Sequence, residues 1–139
     1  MEHCGNPARI PETIRRFAAW RRSAGLVPPA SATFTVFRCD PKSIPQEEFR
    51  IDLCAGTDRP VPANDAGVEE GVLPGGRCAR FRITGHGDDL ETHASWLYRE
   101  WLPASGEELR DFPIFCERVR FPPEVPENEA VTDLYLPLR

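Results

Sequence analysis

The chain has 139 residues, which suits a single domain large enough to bury a hydrophobic core. Its hydrophobic fraction of 40% and charged fraction of 28% are those of a globular protein and exclude a disordered chain. The net charge of −5, with Lys42 as the single lysine, argues against nucleic-acid binding as the main task, because phosphate contacts need clustered basic side chains.

The first half of the sequence predicts a helix followed by two strands. A proline at its start and Gly25 after its end mark a helix over about residues 11–24. Residues 32–39, rich in Thr, Val and Phe, predict a strand, and alternation of apolar and polar residues over 49–55 predicts a half-buried strand. Residues 56–75, rich in Pro, Gly and Ala, predict a linker.

The second half predicts a strand, a helix and two further strands. The strand covers residues 76–84, and the helix runs from about residue 88 to residue 101. The sequence GHGDD precedes this helix, and its Asp88 or Asp89 can cap the helix. The residues predicted to face the sheet are Leu90, Ala94, Leu97, Tyr98 and Trp101. The last two strands are predicted at 112–121 and 131–138.

The chain repeats itself at a spacing of 81 residues. Trp20 then falls on Trp101 and Gly25 on Gly106, and no gap is needed from Trp20 to Leu53. Two copies are too few for a solenoid, so the repeat favours a duplicated half-domain with a pseudo-two-fold axis.

The predicted organisation is therefore one α+β domain over residues 1–139. It consists of two β-α-β-β halves, at about 1–55 and about 76–139, joined by the linker at 56–75. At this spacing the first half lacks most of its opening strand. Either the chain does without that strand, or residues 1–6 form a short one, or a partner chain covers the edge, as in a homodimer.

The cysteine pattern and the apolar runs limit the cofactors and the location. The five cysteines are an odd number without paired C-x-x-C spacing, which disfavours a zinc site or a disulfide framework. No apolar run reaches the ~20 residues of a bilayer crossing, and the first residues lack a signal-peptide core. We therefore predict no cofactor, no metal, no membrane association and a cytoplasmic location.

Four stretches of the sequence, PGGRCA, LYREWLPASG, LRDFPIF and DLYLPL, resemble the GyrI-like small-molecule-binding domain. That family includes effector domains of AraC-type regulators, gyrase-inhibitory SbmC proteins and drug-binding modules on mobile gene cassettes. The resemblance implies a curved antiparallel sheet with two helices on one face. It also implies a cleft between the halves that binds aromatic, often cationic, compounds beside an acidic residue.

The sequence departs from the family pattern after the DFP stretch. Cys116 stands where the family has glutamate, Arg118 stands where it has tyrosine, and Glu117 comes one residue late. A shift of one residue moves a side chain to the other face of a strand. Glu117 then either meets a charged ligand or pairs with an arginine such as Arg80, Arg82 or Arg118.

The candidate ligand-binding residues combine acids with aromatic walls, over which a cation is attracted. They are Glu117, Glu100, Trp20, Trp96, Trp101, Phe81, Phe115 and Tyr135. Trp96 shares a helix stripe with His93 and Glu100, off the main apolar face. The alternative role of Trp20 and Trp101 is core packing. His86, beside the capping aspartates, is interpreted as a surface residue, and no catalytic residue is predicted.

The predicted function is binding of a small amphipathic aromatic cation in the cleft between the halves. The domain would act alone, or as the effector part of a DNA-binding transcription regulator, without contacting nucleic acid itself. One alternative is a hydrolase of reactive electrophilic toxins, for which Glu100 with Glu117 is the only carboxylate pair that we can nominate. Another is a protein-interaction module that restrains DNA gyrase, as the resemblance suggests.

Overall fold

A computed structural model of the chain describes residues 1–40, 42–85 and 90–139. These residues form two compact units, Met1–Leu73 and Pro74–Arg139. Each unit contains one helical segment and three strands that pair antiparallel with one another, in the order strand, helix, strand, strand. The predicted α+β fold of two β-α-β-β halves is confirmed.

The first unit contains β1 (Glu2–Cys4), α1 (Ile10–Ala24), β2 (Thr33–Phe37) and β3 (Arg50–Ala55). Strand β3 lies between β1 and β2, and His3 lies opposite Ile51. The opening strand is thus present but only three residues long, which corresponds to the second of the three alternatives, a short strand within residues 1–6.

The core of the first unit lies between α1 and its sheet. Buried side chains of the helix meet buried side chains of β3 and of the residue before it: Phe17, Trp20, Phe49, Ile51 and Leu53. Phe17 and Trp20 stack with their ring centroids 5.9 Å apart. Part of the predicted linker joins this core, since Val61, Ala66 and Val68 pack against it.

The linker residues are held in a defined loop by one side chain. Asn64 donates from Nδ2 to the carbonyl oxygens of Pro62 and Val68, and its Oδ1 accepts from the backbone N–H groups of Ala66 and Val68. Four hydrogen bonds to one amide close the turn that places the three apolar side chains on the core.

The second unit contains β4 (Cys78–Thr84), α2 (Leu90–Trp96), β5 (Phe115–Arg120) and β6 (Val131–Pro137). Strand β6 lies between β4 and β5. The helix continues past α2 through a π-helical turn, Leu97–Trp101, into a last α-helical turn, α3 (Leu102–Ser105). The predicted caps Asp88 and Asp89, together with His86, lie outside the described residues.

The helical segment runs beyond the predicted end at Trp101. Pro103 lies directly after the π-helical turn, at the start of α3, and the helical segment passes through it. The segment ends instead at Gly106, which adopts the left-handed conformation with φ of 72°. Gly25 ends α1 in the same way, with φ of 71°.

Candidate functional site

An aromatic cluster connects the helical segment of the second unit to its sheet. It consists of Phe81 on β4 and of His93 and Trp96 on α2. The Phe81 ring lies 4.8 Å from the His93 ring and 5.8 Å from the Trp96 ring, centroid to centroid. Trp96 remains 43% exposed. The cluster therefore leaves part of the Trp96 side chain in solvent while Phe81 contacts its ring.

The contacts of Phe81 identify which face of this sheet the helix covers. Phe81 lies opposite Leu134, and Leu134 lies opposite Cys116 on β5, so these three side chains share the helix side. Cys116 and Leu134 are both fully buried. The position where the resemblance implies an acid is thus occupied by a buried thiol on the helix side.

Glu117 projects from the opposite face of the sheet, among charged residues. It lies across from Asp133, which in turn lies across from Arg82. Arg82 donates from Nε and Nη2 to the two carboxylate oxygens of Asp133 at 2.8 and 2.9 Å. Among the described residues, Asp133 thus has a bidentate partner, whereas no hydrogen bond or ion pair is found for the Glu117 carboxylate.

The charges on this face shift the pKa values of their neighbours. The hydrogen bonds from Arg82 hold the pKa of the buried Asp133 carboxyl below its usual range. Burial raises the pKa of Tyr135, and the negative charges of Glu117 and Asp133 raise it further, whereas the positive charge of Arg80 lowers it. We refer to Arg80, Arg82, Glu117, Asp133 and Tyr135 as the charged face.

Two predicted aromatic residues accompany the charged face. Phe115 lies opposite Tyr135, and their rings stack with centroids 5.1 Å apart. Phe115 is buried, so only Tyr135 of this pair offers surface to a ligand.

The remaining predicted residues lie in different surroundings. Trp20 is buried in the core of the first unit, as its alternative role required. Glu100 is exposed and Trp101 is half-buried, and both belong to the π-helical turn that follows the aromatic cluster. Tyr98 is 38% exposed, so the prediction that it faces the sheet is wrong, whereas Leu97, predicted to face the sheet as well, is 2% exposed.

The eight predicted residues therefore do not form one cluster. Phe81 and Trp96, with Glu100 one helical turn further on, belong to the helix side of the second unit. Phe115, Glu117 and Tyr135 belong to the opposite face of its sheet. The hydrolase hypothesis needs Glu100 and Glu117 to act on one water molecule, and the structure does not bring these two together.

The predicted list of ligand-binding residues leaves out His93, Arg82 and Asp133, which the structure places beside its members. The spacing of three residues between His93 and Trp96, which places both side chains on one stripe of a helix, is the signal that could have included His93. Arg82 and Asp133 carry no local signal of pairing, because the strand register that joins them is set by the packing of the whole sheet.

The described residues contain neither a candidate metal site nor a candidate membrane-spanning helix. No group of three or more His, Cys, Asp or Glu side chains that could hold a metal ion is present among them. In the same residues, no helix has both the length and the apolar character needed to cross a bilayer. All five cysteines are free thiols.

The sequence model of the GyrI-like small molecule binding domain matches residues 1–139. The chain belongs to the GyrI-like family of small-molecule-binding domains. It is 39% identical to "Probable transcriptional regulator YgiV" of Escherichia coli (strain K12) over 140 residues, which cover 99% of this chain and 87% of that protein. It is 28% identical to "DNA gyrase inhibitor" of Erwinia billingiae (strain Eb661) over 109 residues, covering 76% of this chain and 67% of that protein.

A solved structure shares the fold of this GyrI-like domain. A chain in the cryo-EM structure of an EcmrR–DNA complex superimposes with a TM-score of 0.77 at 14% sequence identity. The superposition covers 98% of this chain and 50% of the EcmrR-complex chain. At this identity the likeness concerns the fold alone.

Proposed function

We propose that this GyrI-like domain binds a small amphipathic aromatic cation, on the helix side of its second unit. The single observation that carries the proposal is Trp96, which is 43% exposed yet held against Phe81 beside His93. A large ring left in water but fixed on one side is a ready-made stacking platform.

The charge preference follows from the acid next to this platform. Glu100 lies four residues after Trp96, at a spacing that places two helix side chains on neighbouring positions of one face. A cation above the tryptophan gains about 0.5–2 kcal/mol from the ring, and Glu100 adds attraction that a neutral ligand does not feel. The net charge of −5 attracts cations over longer distances.

The proposed biological setting is a response to such compounds in the cytoplasm. The relative named as a transcriptional regulator and the shared fold with an EcmrR-complex chain support a role as a stand-alone or effector module in transcription regulation. Five free thiols agree with a reducing compartment. The location of the ligand in a cleft between the halves stays a prediction.

The test is a titration with two ligands of the same shape and different charge. 1-Methylquinolinium, a flat aromatic cation, is compared with 1-methylnaphthalene, its neutral analogue, by isothermal titration calorimetry. We expect the cation to bind more tightly. Trp96→Ala should weaken binding of the cation by about 2- to 30-fold, the range of a cation–π contact.

Variants at the acid complete the test. Glu100→Gln should weaken binding of the cation and leave binding of 1-methylnaphthalene unchanged. Glu69→Gln, which removes an exposed acid in the first unit, is the matched control and should change neither. Equal binding of both ligands, or loss of binding in Glu117→Gln rather than in Glu100→Gln, would move the site away from the helix side.

A second candidate function is binding to DNA gyrase. The observation that favours it is the relative named as a DNA gyrase inhibitor, which matches 76% of this chain. Its test is a supercoiling assay with purified gyrase and increasing amounts of this domain. Unchanged supercoiling at a large molar excess would remove this candidate.

A further inference from the structure

The second half of the chain contains one residue that the first half lacks. After the helices, equivalent positions differ by 81 residues, since Phe34 lies opposite Cys54 and Phe115 lies opposite Tyr135. The short 3₁₀ turns at Gln46–Glu48 and Glu127–Glu129 differ by the same 81 residues.

Before the helices, equivalent positions differ by only 80 residues. Gly5 has φ of 120° and donates its N–H to the carbonyl oxygen of Phe49 at 2.8 Å. Gly85 has φ of 105° and donates its N–H to the carbonyl oxygen of Ala130, also at 2.8 Å. Phe49 and Ala130 are 81 apart, whereas the two glycines are 80 apart. One extra residue therefore lies between Gly85 and the end of the helical segment at Gly106.

The π-helical turn contains this extra residue. The backbone N–H of Leu102 donates to the carbonyl oxygen of Leu97, five residues back rather than the four of an α-helix. In α1 the buried residues Phe17 and Trp20 are separated by two residues. In the second half the buried Leu97 is separated from Trp101, the equivalent of Trp20, by three residues.

The residues between these anchors differ in chemistry as well as in number. In α1 they are Ala18 and Ala19, which offer neither charge nor an aromatic ring. In the π-helical turn they are Tyr98, Arg99 and Glu100, which are all exposed. The wider turn thus carries an aromatic ring and an acid directly after Trp96, on a framework that the first half builds without them.

We propose that the inserted residue makes the π-helical turn the element that determines specificity for cations. The inference rests on the proposed function and names the device behind it: the insertion lets Leu97 and Trp101 keep their anchoring positions while Tyr98 and Glu100 project beside Trp96. The second half of the chain then recognises the ligand, whereas the first half, whose helix is uninterrupted, contributes to the fold and not to ligand recognition.

The test deletes Arg99 from the full-length chain, which restores the two-residue spacing of α1 and keeps Trp96, Tyr98 and Glu100. The matched control is Arg99→Ala, which removes the same side chain and keeps the length. Thermal unfolding and far-UV circular dichroism report the fold, and calorimetric titration with 1-methylquinolinium and 1-methylnaphthalene reports binding.

The deletion variant should fold, with Tm within about 4 °C of the wild type, because the first half shows that the same framework accepts an uninterrupted α-helix. Its affinity for 1-methylquinolinium should fall about tenfold or more, and its preference over 1-methylnaphthalene should disappear. Arg99→Ala should bind both compounds within about twofold of the wild type.

Three outcomes would overturn the inference, and they are distinguishable from one another. A folded deletion variant that binds and selects like the wild type leaves the proposed function standing and removes the role of the insertion. A deletion variant that does not fold makes the insertion a structural requirement. A wild type that binds neither compound removes the proposed function, and the inference with it.

Discussion

Replacing Arg21 tests whether one buried cation fixes the end of α1. Arg21 is 5% exposed and lies over the Phe17 ring, 5.8 Å from its centroid. Its guanidinium donates to the carbonyl oxygen of Leu26 at 2.6 Å, to that of Ser31 at 3.0 Å, and to the Thr33 hydroxyl at 2.7 Å. Burial lowers the pKa of Arg21, but an arginine stays charged throughout the accessible pH range.

The loss of stability expected on replacing Arg21 follows from the carbonyl oxygens of Leu26 and Ser31, which would lose their donor. The Thr33 hydroxyl can rotate to another partner, so its bond is not counted. Hydrogen bonds from a charged donor contribute a net of about 1.5–3 kcal/mol each, so losing the two bonds to carbonyl oxygens at the low end of this range means that Arg21→Met should lower the free energy of unfolding by about 3 kcal/mol. Arg21→Lys keeps the charge and one bond and should lower it by about half as much.

Urea unfolding followed by tryptophan fluorescence measures this change, because Trp20 is buried in the same unit. With a slope of about 2 kcal/mol per molar urea, the midpoint of Arg21→Met should fall by roughly 1.5 M. Arg22→Met is the matched control, since Arg22 is exposed at the same helix end and should change stability by less than about 0.5 kcal/mol. A midpoint for Arg21→Met equal to that of Arg22→Met would refute the reasoning.

Three further predictions concern other parts of the fold. Gly76→Ala should lower stability by about 1–3 kcal/mol in thermal unfolding, because φ is 145° and the new Cβ would lie 2.5 Å from Nη1 of Arg110; a neutral result would show that the arginine moves aside. The pKa of Asp133 is depressed by Arg82, so the ion pair stabilises the fold fully above the ordinary carboxyl pKa of about 3.9 and less as pH falls through the lower folded value. Asp133→Asn should therefore cost about 1 kcal/mol at pH 7 and flatten the fall in stability with acid, and equal acid profiles would contradict this. Asn64→Ala should make its loop the first site of limited proteolysis, whereas unchanged cleavage would show that the apolar contacts alone hold the loop.

Much of the fold was predictable because the local signals agree with the tertiary structure. The repeat at 81 residues located equivalent helices and strands, and the end of α1 at Gly25 followed from helix punctuation. Where one face of a strand is buried, as at Leu134 on β6, the register between paired strands is fixed, because a shift of one residue would expose the buried side chains.

The candidate site was less predictable, for a physical reason visible in Leu97 and Tyr98. A gapless comparison placed Tyr98 on the core position of Phe17, and both residues are apolar enough to satisfy the pattern. Only the widened turn reveals that Leu97 occupies that position, because a gapless comparison cannot register a residue inserted between Leu97 and Trp101. The face of Glu117 depended in the same way on a single-residue register.

The loop held by Asn64 belongs to the first unit, and this sets the position at which the chain can be cut without removing residues of that unit's core. Its apolar side chains pack against the core formed by α1 and β3, so it belongs to the first unit although it follows the last strand of that unit. A fragment that stops at Ala55 would leave part of this core uncovered in water, whereas one that continues to Leu73 retains its own cover. Residues 73 and 74 are therefore the place for a protease site, a fusion partner or a new pair of termini.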